Sequence, residues 1–198
     1  NLAAPKQFHN IINKDPNIPR ADKADLNLLL PSIEGSIVSA FTNDAHTTAS
    51  LLMRYTYDQS ITRYNISTNT TITSWDDIYL MALPDLNLYI QLAEEQELPG
   101  FSGVGKILKA YLYSMTIDIY GEAPYTTGTK FTENLNPIFD DGLTVYKEVF
   151  GLIDSGLADL ATTGTVAMPA SNSDFFFAGN RTKWTKAANS LKMKLLNQ

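Results

Sequence analysis

The apolar residues of this chain recur mostly at three- and four-residue steps, the spacing of a helix that buries one face. The clearest case lies between residues 103 and 125, where one buried face is predicted for Val104, Ile107, Leu108, Tyr111, Leu112, Met115 and Ile119. Gly121 follows and can adopt the left-handed conformation that ends a helix, while Pro124 prevents the helix from resuming. The pattern therefore predicts a well-terminated helix over residues 102–120.

Five further segments show a helical period. They cover residues 22–41, 42–54, 74–98, 140–160 and 182–198. Three of these segments have a predicted N-terminal cap. The cap is an aspartate near Asp22 for the first segment, Ser74 for the third, and either Asp140 or Asp141 for the fourth. Pro84 should kink the third helix or shift its start. No segment shows convincing strand alternation, so the expected fold class is all-α.

The last four predicted helices form two consecutive pairs, 75–98 with 102–120 and 140–160 with 182–198. A helix with one apolar face cannot bury that face alone, so stacked helical hairpins of tetratricopeptide type are the economical arrangement. The residue consensus of that repeat is not cleanly present. We therefore predict a tetratricopeptide-like arrangement joined by long loops.

Composition narrows the classes of function. The 198 residues include 21 acidic and 15 basic side chains, for a net charge of −6, which argues against binding to a nucleic-acid backbone. There is no cysteine, so disulfides and thiolate metal sites are excluded within these residues. No apolar run approaches the roughly 20 residues that a membrane-spanning helix needs.

Four stretches, in this order, resemble the SusD/RagB family of surface nutrient-binding lipoproteins of Bacteroidetes. They read SWDDIYLMALPDLNLYI, GKILKAYLYSMTIDIYGEAPY, PIFDDGLTVYKEVFGLIDSGLADL and DFFFAGNRTKWTKAANSLKMKLLNQ. The last is similar to the family segment that runs from an aspartate through a glycine and a tryptophan to Ala-Asn-Ser-Leu. Together the stretches cover most of the chain from Ser74 onward, and the first 73 residues match only loosely.

The resemblance implies that residues 1–198 are the N-terminal, tetratricopeptide-like part of a single SusD-like domain, truncated at its C-terminal end. It implies a lipid anchor on a cysteine upstream of Asn1, which would hold the protein on the extracellular face of the outer membrane. It also implies a SusC-like TonB-dependent transporter as the partner that receives the cargo.

Three classes of function remain open at this point. The first is non-catalytic capture of oligosaccharide, with peptide capture of the RagB type as an alternative. The second is a helical-repeat scaffold that binds other proteins. The third is a hydrolase of the outer membrane, although no nucleophile elbow or P-loop is present.

Candidate ligand-binding residues come from the polar segment ahead of the third helix. Sugar binding uses aromatic faces together with planar hydrogen-bonding groups. We therefore predict that Arg63, Tyr64, Asn65 and Trp75 contribute to a ligand-facing surface. Packing is the competing explanation for both aromatic residues: Trp75 begins an amphipathic helix, and Tyr64 can cover a helix end.

Other chemically suggestive residues have structural explanations. The aspartate pairs 76/77 and 140/141 lie at predicted helix starts, where capping and the helix dipole account for them. His9 and His46 lack metal-ligand spacing, so we expect no metal, no cofactor and no catalytic site. Trp184 is at a periodic position and is predicted to be buried. Residues 175–177 are three consecutive phenylalanines, either an exposed platform or a pin that holds a loop to the core.

Overall fold

A computed structural model describes residues 24–57, 71–129, 134 and 136–198. The described helices are α1 Leu26–Thr42, α2 Asp44–Leu52, α3 Ile72–Asp76, a π-helical segment Asp77–Ala82, α4 Leu83–Glu95, α5 Pro99–Tyr120, α6 Gly142–Leu160 and α7 Arg181–Leu196. Within those ranges there is no β-strand, only an isolated antiparallel bridge between Ala123 and Asp140. The prediction of an all-α fold is confirmed.

Helix α1 begins later than the sequence pattern suggested. The side chain of Asp25, not Asp22, caps it by accepting a hydrogen bond from the Asn27 amide at 2.9 Å. Pro31 lies inside the helix, which continues to Thr42. The face that packs on the core is apolar except for one acid, Glu34. Glu34 lies where α1 meets the loop that precedes α7.

The prediction that Ser74 caps the third helix is wrong. Helix α3 starts at Ile72, so Ser74 lies inside the helix and is buried. The backbone hydrogen-bond pattern then changes from α-helical to π-helical, because the Leu83 amide donates to the Ile78 carbonyl five residues earlier. Pro84 comes next, has no amide hydrogen, and occupies the first turn of α4. The disturbance expected at Pro84 is therefore a π-helical turn that shifts the start of α4.

Helix α5 is the centre of the molecule and contacts α4, α6 and α7. It begins at Pro99, three residues before the predicted start at residue 102. Proline is favoured in a first turn because the amides there have no partner within the helix. At the other end Gly121 has a φ of +80°, and its amide donates to the Ile117 carbonyl at 2.8 Å. The predicted termination at Gly121 is confirmed.

The predicted buried faces are only partly correct. In α5, Tyr111 and Ile119 are partly exposed, while Tyr113 and Ile117 are buried in their place. Leu143, assigned to the buried face of the next helix, is 66% exposed. The reason is geometric: a helix with neighbours on several sides buries residues that a single-face pattern does not select.

Helices α5 and α6 are in close contact where two glycines, Gly103 and Gly156, face each other. A Cβ atom added to Gly103 would lie 2.9 Å from the carbonyl oxygen of Gly156 and 3.0 Å from Cγ of Leu160. Backbone oxygen cannot move aside without shifting the helix. By contrast, Gly151 on α6 has open space around it.

Gly103→Ala is expected to destabilise the protein by about 1–3 kcal/mol, because the added methyl forces α5 away from α6. Gly151→Ala is the matched control and should stabilise by about 0.5–1 kcal/mol, since alanine is the better helix former. Urea unfolding followed by circular dichroism measures both. Equal, stabilising effects of the two substitutions would show that the helices are not in close contact at Gly103.

Polar contacts also tie the helices together. Lys106 of α5 pairs with Glu94 of α4 and with Asp159 of α6, each at 2.8 Å. At the end of α6, the guanidinium of Arg181 donates to the carbonyl of Leu160 and, at 2.9 Å, to that of Thr162. These carbonyls would otherwise lack partners at a helix end. Among the described helices, none is long and apolar enough to cross a membrane.

Candidate functional site

Of the four predicted ligand-binding residues, only Trp75 can be placed. Arg63, Tyr64 and Asn65 lie outside the described residues, so their roles stay predictions. Trp75 is half-buried near the end of the short helix α3. The candidate site is therefore built outward from this indole.

Trp75 lines a surface cavity of about 420 Å³, here called the aromatic pocket. Its lining residues come from α3 with the residue before it, the end of α5, and the segment that leads into α6. They are Thr71, Ile72, Trp75, Asp76, Tyr120, Glu122 and Phe139. Three regions of the chain, more than sixty positions apart at the extremes, thus meet at one surface depression.

The aromatic rings form a packed cluster around Trp75. The centroid of Tyr79 lies 4.4 Å from that of the indole, and Tyr120 meets it edge-on at 5.0 Å. Phe139 is nearly parallel to the indole, with centroids 5.8 Å apart and planes 19° apart. The rings leave too little space between them for a ligand to enter. Trp75 therefore has a packing role, and what it offers a ligand is the part of its surface that faces the pocket.

Hydrogen bonds hold the pocket walls in place. The Tyr120 hydroxyl donates to the Thr71 carbonyl at 3.1 Å, which joins the end of α5 to the start of α3. The Asp140 carboxylate accepts from the amides of Tyr125 and Thr126, each at 2.8 Å. Burial acts to raise the pKa of Asp140, but these hydrogen bonds outweigh it and hold that pKa below its usual value. The ionised side chain therefore anchors the segment next to Phe139.

The charged groups of the aromatic pocket are carboxylates. Asp76 and Glu122 are both exposed at its edge, and no lysine or arginine is among the described lining residues. Carboxylates accept hydrogen bonds from hydroxyl groups, and aromatic rings pack against C–H faces. Chemically, the pocket can bind an uncharged polyhydroxylated molecule better than an anion.

The assignment of Asp76 and Asp77 to helix capping is wrong. Neither caps the start of α3: Asp76 is its last residue, and Asp77 accepts a hydrogen bond from the hydroxyl of Ser39 on α1 at 2.7 Å. The helix begins earlier than predicted, which moves both acids to its end. The assignment is correct for Asp141, whose side chain accepts from the Thr144 amide and caps α6.

Comparison with known proteins identifies the family. A family model for SusD-like proteins, described as "Starch-binding associating with outer membrane", matches residues 17–197. The chain belongs to the SusD-like family. The resemblance seen in the four sequence stretches is thereby confirmed. A search of curated proteins found no match.

Solved structures show the SusD-like fold. A SusD/RagB family protein from Bacteroides thetaiotaomicron superposes with a TM-score of 0.72, and a SusD homologue from Bacteroides uniformis with 0.63. In both cases the identity is 23%, with 86% of this chain and 37% of the other chain covered. This SusD-like chain therefore spans little more than a third of the length of either protein.

The second tryptophan of this SusD-like chain is structural. Trp184 is 2% exposed, which confirms the prediction of burial. Phe177 is partly buried and meets the indole edge-on at 4.9 Å, whereas Phe175 is 69% exposed. Phe177 thus holds the loop to the core, whereas Phe175 is exposed; each of the two predicted roles applies to one of these residues. We call the segment that carries them, residues 170–180, the aromatic loop.

Sequence reasoning missed the residues that organise the aromatic loop. Asp174 and Glu34 are the two acids at its base, and both are buried. An aspartate followed by amides that it can bond locally is a recognisable turn signal. Nothing comparable marks Glu34, apart from its position on an otherwise apolar helix face. In the described part of this SusD-like chain, no group of three or more His, Asp or Glu could hold a metal ion.

Proposed function

We propose that this protein is a non-catalytic binding protein that captures oligosaccharide at the cell surface and passes it to a SusC-like TonB-dependent transporter. Membership of a family described as starch-binding and associated with the outer membrane supports this function. The observation that carries it is the aromatic pocket, in which a half-buried tryptophan lies beside two exposed carboxylates.

The pocket has the two features that a sugar needs. A pyranose ring has an apolar C–H face, which packs on an aromatic surface such as that of Trp75 or Phe139. Its hydroxyl groups donate hydrogen bonds, for which Asp76 and Glu122 are acceptors. An anionic sugar would be repelled by the same carboxylates, so the cargo is proposed to be neutral.

The wider setting of the protein also belongs to the proposal. We place it on the extracellular face of the outer membrane, held by an N-terminal lipid, with residues 1–198 forming the tetratricopeptide-like part of a single SusD-like domain. Arg63, Tyr64 and Asn65 are proposed to contribute to the ligand-facing surface. Peptide cargo is the alternative, and the binding experiment distinguishes it.

Trp75→Ala is expected to weaken binding of a maltooligosaccharide about fivefold to tenfold, because an aromatic contact of this kind contributes about 1 kcal/mol. Isothermal titration calorimetry on the protein gives the dissociation constants. Phe175→Ala is the control, since it removes an exposed aromatic ring that lies outside the pocket. It should leave the affinity unchanged.

The same titrations decide between the alternatives. A polyuronate of similar length should bind more weakly than the neutral glycan, and charge neutralisation by Asp76→Asn and Glu122→Gln should reduce that difference. Equal affinity of the wild type and Trp75→Ala for the glycan would remove the aromatic pocket from the proposal. Binding of peptides with no binding of any glycan would replace oligosaccharide by peptide as the cargo.

A further inference from the structure

Two buried carboxyl groups meet where the aromatic loop packs on helix α1. Glu34 and Asp174 are each 1% exposed, although they are 140 positions apart in the chain. Neither forms an ion pair with a lysine, arginine or histidine in the described part of the chain. Burying two acids together without a cation is costly when both are ionised.

The carboxylate oxygens of Asp174 accept four hydrogen bonds. One carboxylate oxygen accepts from the amides of Phe176 at 3.0 Å and Phe177 at 2.9 Å. The other accepts from the Gly179 amide at 2.8 Å and from the Trp184 indole N–H at 2.6 Å. Four hydrogen bonds to the charged form compensate for lost hydration. Asp174 thereby closes the aromatic loop upon itself.

Glu34 is in a different environment. One of its oxygens accepts from the Phe175 amide at 2.7 Å, while the other is buried without a partner. Burial raises the pKa of Glu34 to about 7, and the neighbouring charge of Asp174 adds to this effect. The backbone amides of Phe175 and Phe176 act in the opposite direction without cancelling it.

Helix α4 contributes a third group to this cluster. The Tyr89 hydroxyl is buried and has no hydrogen-bond partner. Burial raises the pKa of Tyr89 well above its ordinary value, and the charges of Asp174 and Glu34 raise it further. Tyr89 therefore stays neutral and adds no further negative charge to the two acids. The two acids thus have different environments: four donors face Asp174, and one faces Glu34.

We propose that Glu34 is a proton-dependent latch: its protonated carboxyl donates a hydrogen bond to Asp174 and holds the aromatic loop on helix α1. When Glu34 loses this proton, two carboxylates face each other in a buried site, and the loop is released from α1. The loop itself remains closed, because the four donors to Asp174 belong to the loop and to the start of α7.

The latch controls a larger surface feature. Phe176 and Phe177 line an apolar groove of about 540 Å³, whose other walls are α1, α5 and α7. The α1 wall includes Ile37 and Phe41, which follow Glu34 on the same helix. Release of the aromatic loop from α1 would move one wall of this groove relative to another. Protonation of Glu34 thus sets the shape of the groove.

The direction of the pH effect follows from linkage. The pKa of Glu34 is about 7 in the folded protein and about 4.5 when the chain is unfolded, so the folded state binds more protons between these values. Its stabilising contribution is fully present below pH 4.5 and is lost as the pH rises through 7. Measurements should stay above the pI near 4.8, where the protein is least soluble.

Glu34→Gln tests the latch, because the amide has the shape and the donor of the protonated acid but cannot lose a proton. Between about pH 5.5 and about pH 8.5, the folding equilibrium constant of the wild type should fall roughly 30-fold relative to that of the variant. Urea unfolding at each pH measures this ratio. Glu148→Gln on α6, which neutralises an exposed acid, is the control and should follow the wild type at every pH.

A second measurement reports on the loop itself. The chain has two tryptophans, so a Trp75→Phe background leaves Trp184, bonded to Asp174, as the fluorescent probe. Its emission and the exchange protection of the Phe175 amide should change with a midpoint near pH 7 in the protein with Glu34, and not in Glu34→Gln.

Parallel stability profiles of the wild type and Glu34→Gln would overturn the proposal. So would a Glu34→Gln variant that is unfolded or strongly destabilised even at about pH 5.5, since the amide should there replace the protonated acid. A Phe175 amide whose protection in the wild type does not vary with pH would show that the loop is not released.

Discussion

Asp174→Ala is expected to lower the free energy of unfolding by about 4 kcal/mol, because hydrogen bonds to a charged acceptor contribute about 1.5–3 kcal/mol each and are not additive. The substitution removes the acceptor of three amides and of the Trp184 indole N–H at 2.6 Å. The indole N–H has no route to solvent, since Trp184 is buried. The aromatic loop would lose the side chain that closes it.

Chemical denaturation followed by circular dichroism measures this loss. Asp154→Ala is the matched control, because Asp154 is an exposed acid whose contact is an ion pair with Lys192. That substitution should change the stability by less than about 1 kcal/mol. Asp174→Asn should fall between the two, since one oxygen acceptor remains while the amide nitrogen faces donors. If Asp174→Ala were no more destabilising than the control, Asp174 would not organise the loop.

Trp184→Ala is expected to destabilise the protein by about 3–5 kcal/mol, the range for a large aromatic residue removed from a core. The indole is 2% exposed, and Phe177 meets it edge-on with centroids 4.9 Å apart. Its removal leaves a cavity beneath the aromatic loop and also takes one donor from Asp174. Both effects lower the stability of the folded protein.

Trp75→Ala provides the comparison for Trp184, since it removes the same side chain from a half-buried site. Its loss of stability should be clearly smaller, because part of the Trp75 side chain is already exposed in the folded protein. A double-mutant cycle with Asp174→Ala should show a coupling energy of about 1–3 kcal/mol for Trp184 and none for Trp75. Equal losses for both tryptophans would contradict the structural assignment of Trp184.

The helices were predictable because their signals are local. The period of three to four residues, the aspartate cap at Asp141 and the glycine at Gly121 all act within one or two turns of the chain. The four ordered stretches were for the same reason sufficient to place the chain in its family. The helix starts near Ser74 and Pro99 were misplaced because neither helix has a side-chain cap at its true start.

The buried faces of the helices and the lining of the aromatic pocket depend on contacts between elements. The spacing of residues along the sequence does not reveal those contacts. A single periodic face was assigned to α5, but this helix has neighbours on three sides and buries more of its surface. Trp75 was identified as a candidate, whereas its pocket partners Tyr120 and Phe139 follow it by more than forty positions. Their role becomes visible only when α3 packs against the end of α5.

By itself the sequence determined that this protein is all-α, where its central helix ends, and to which family it belongs, because these depend on local period, caps and ordered motifs. Only the tertiary structure decided that Glu34 meets Asp174 and that no cation accompanies them in the described residues. An acid on an apolar helix face looks like an interruption of the pattern until its partner is known. That partner comes from a loop 140 positions away, since burial and charge at a contact are properties of the packed chain.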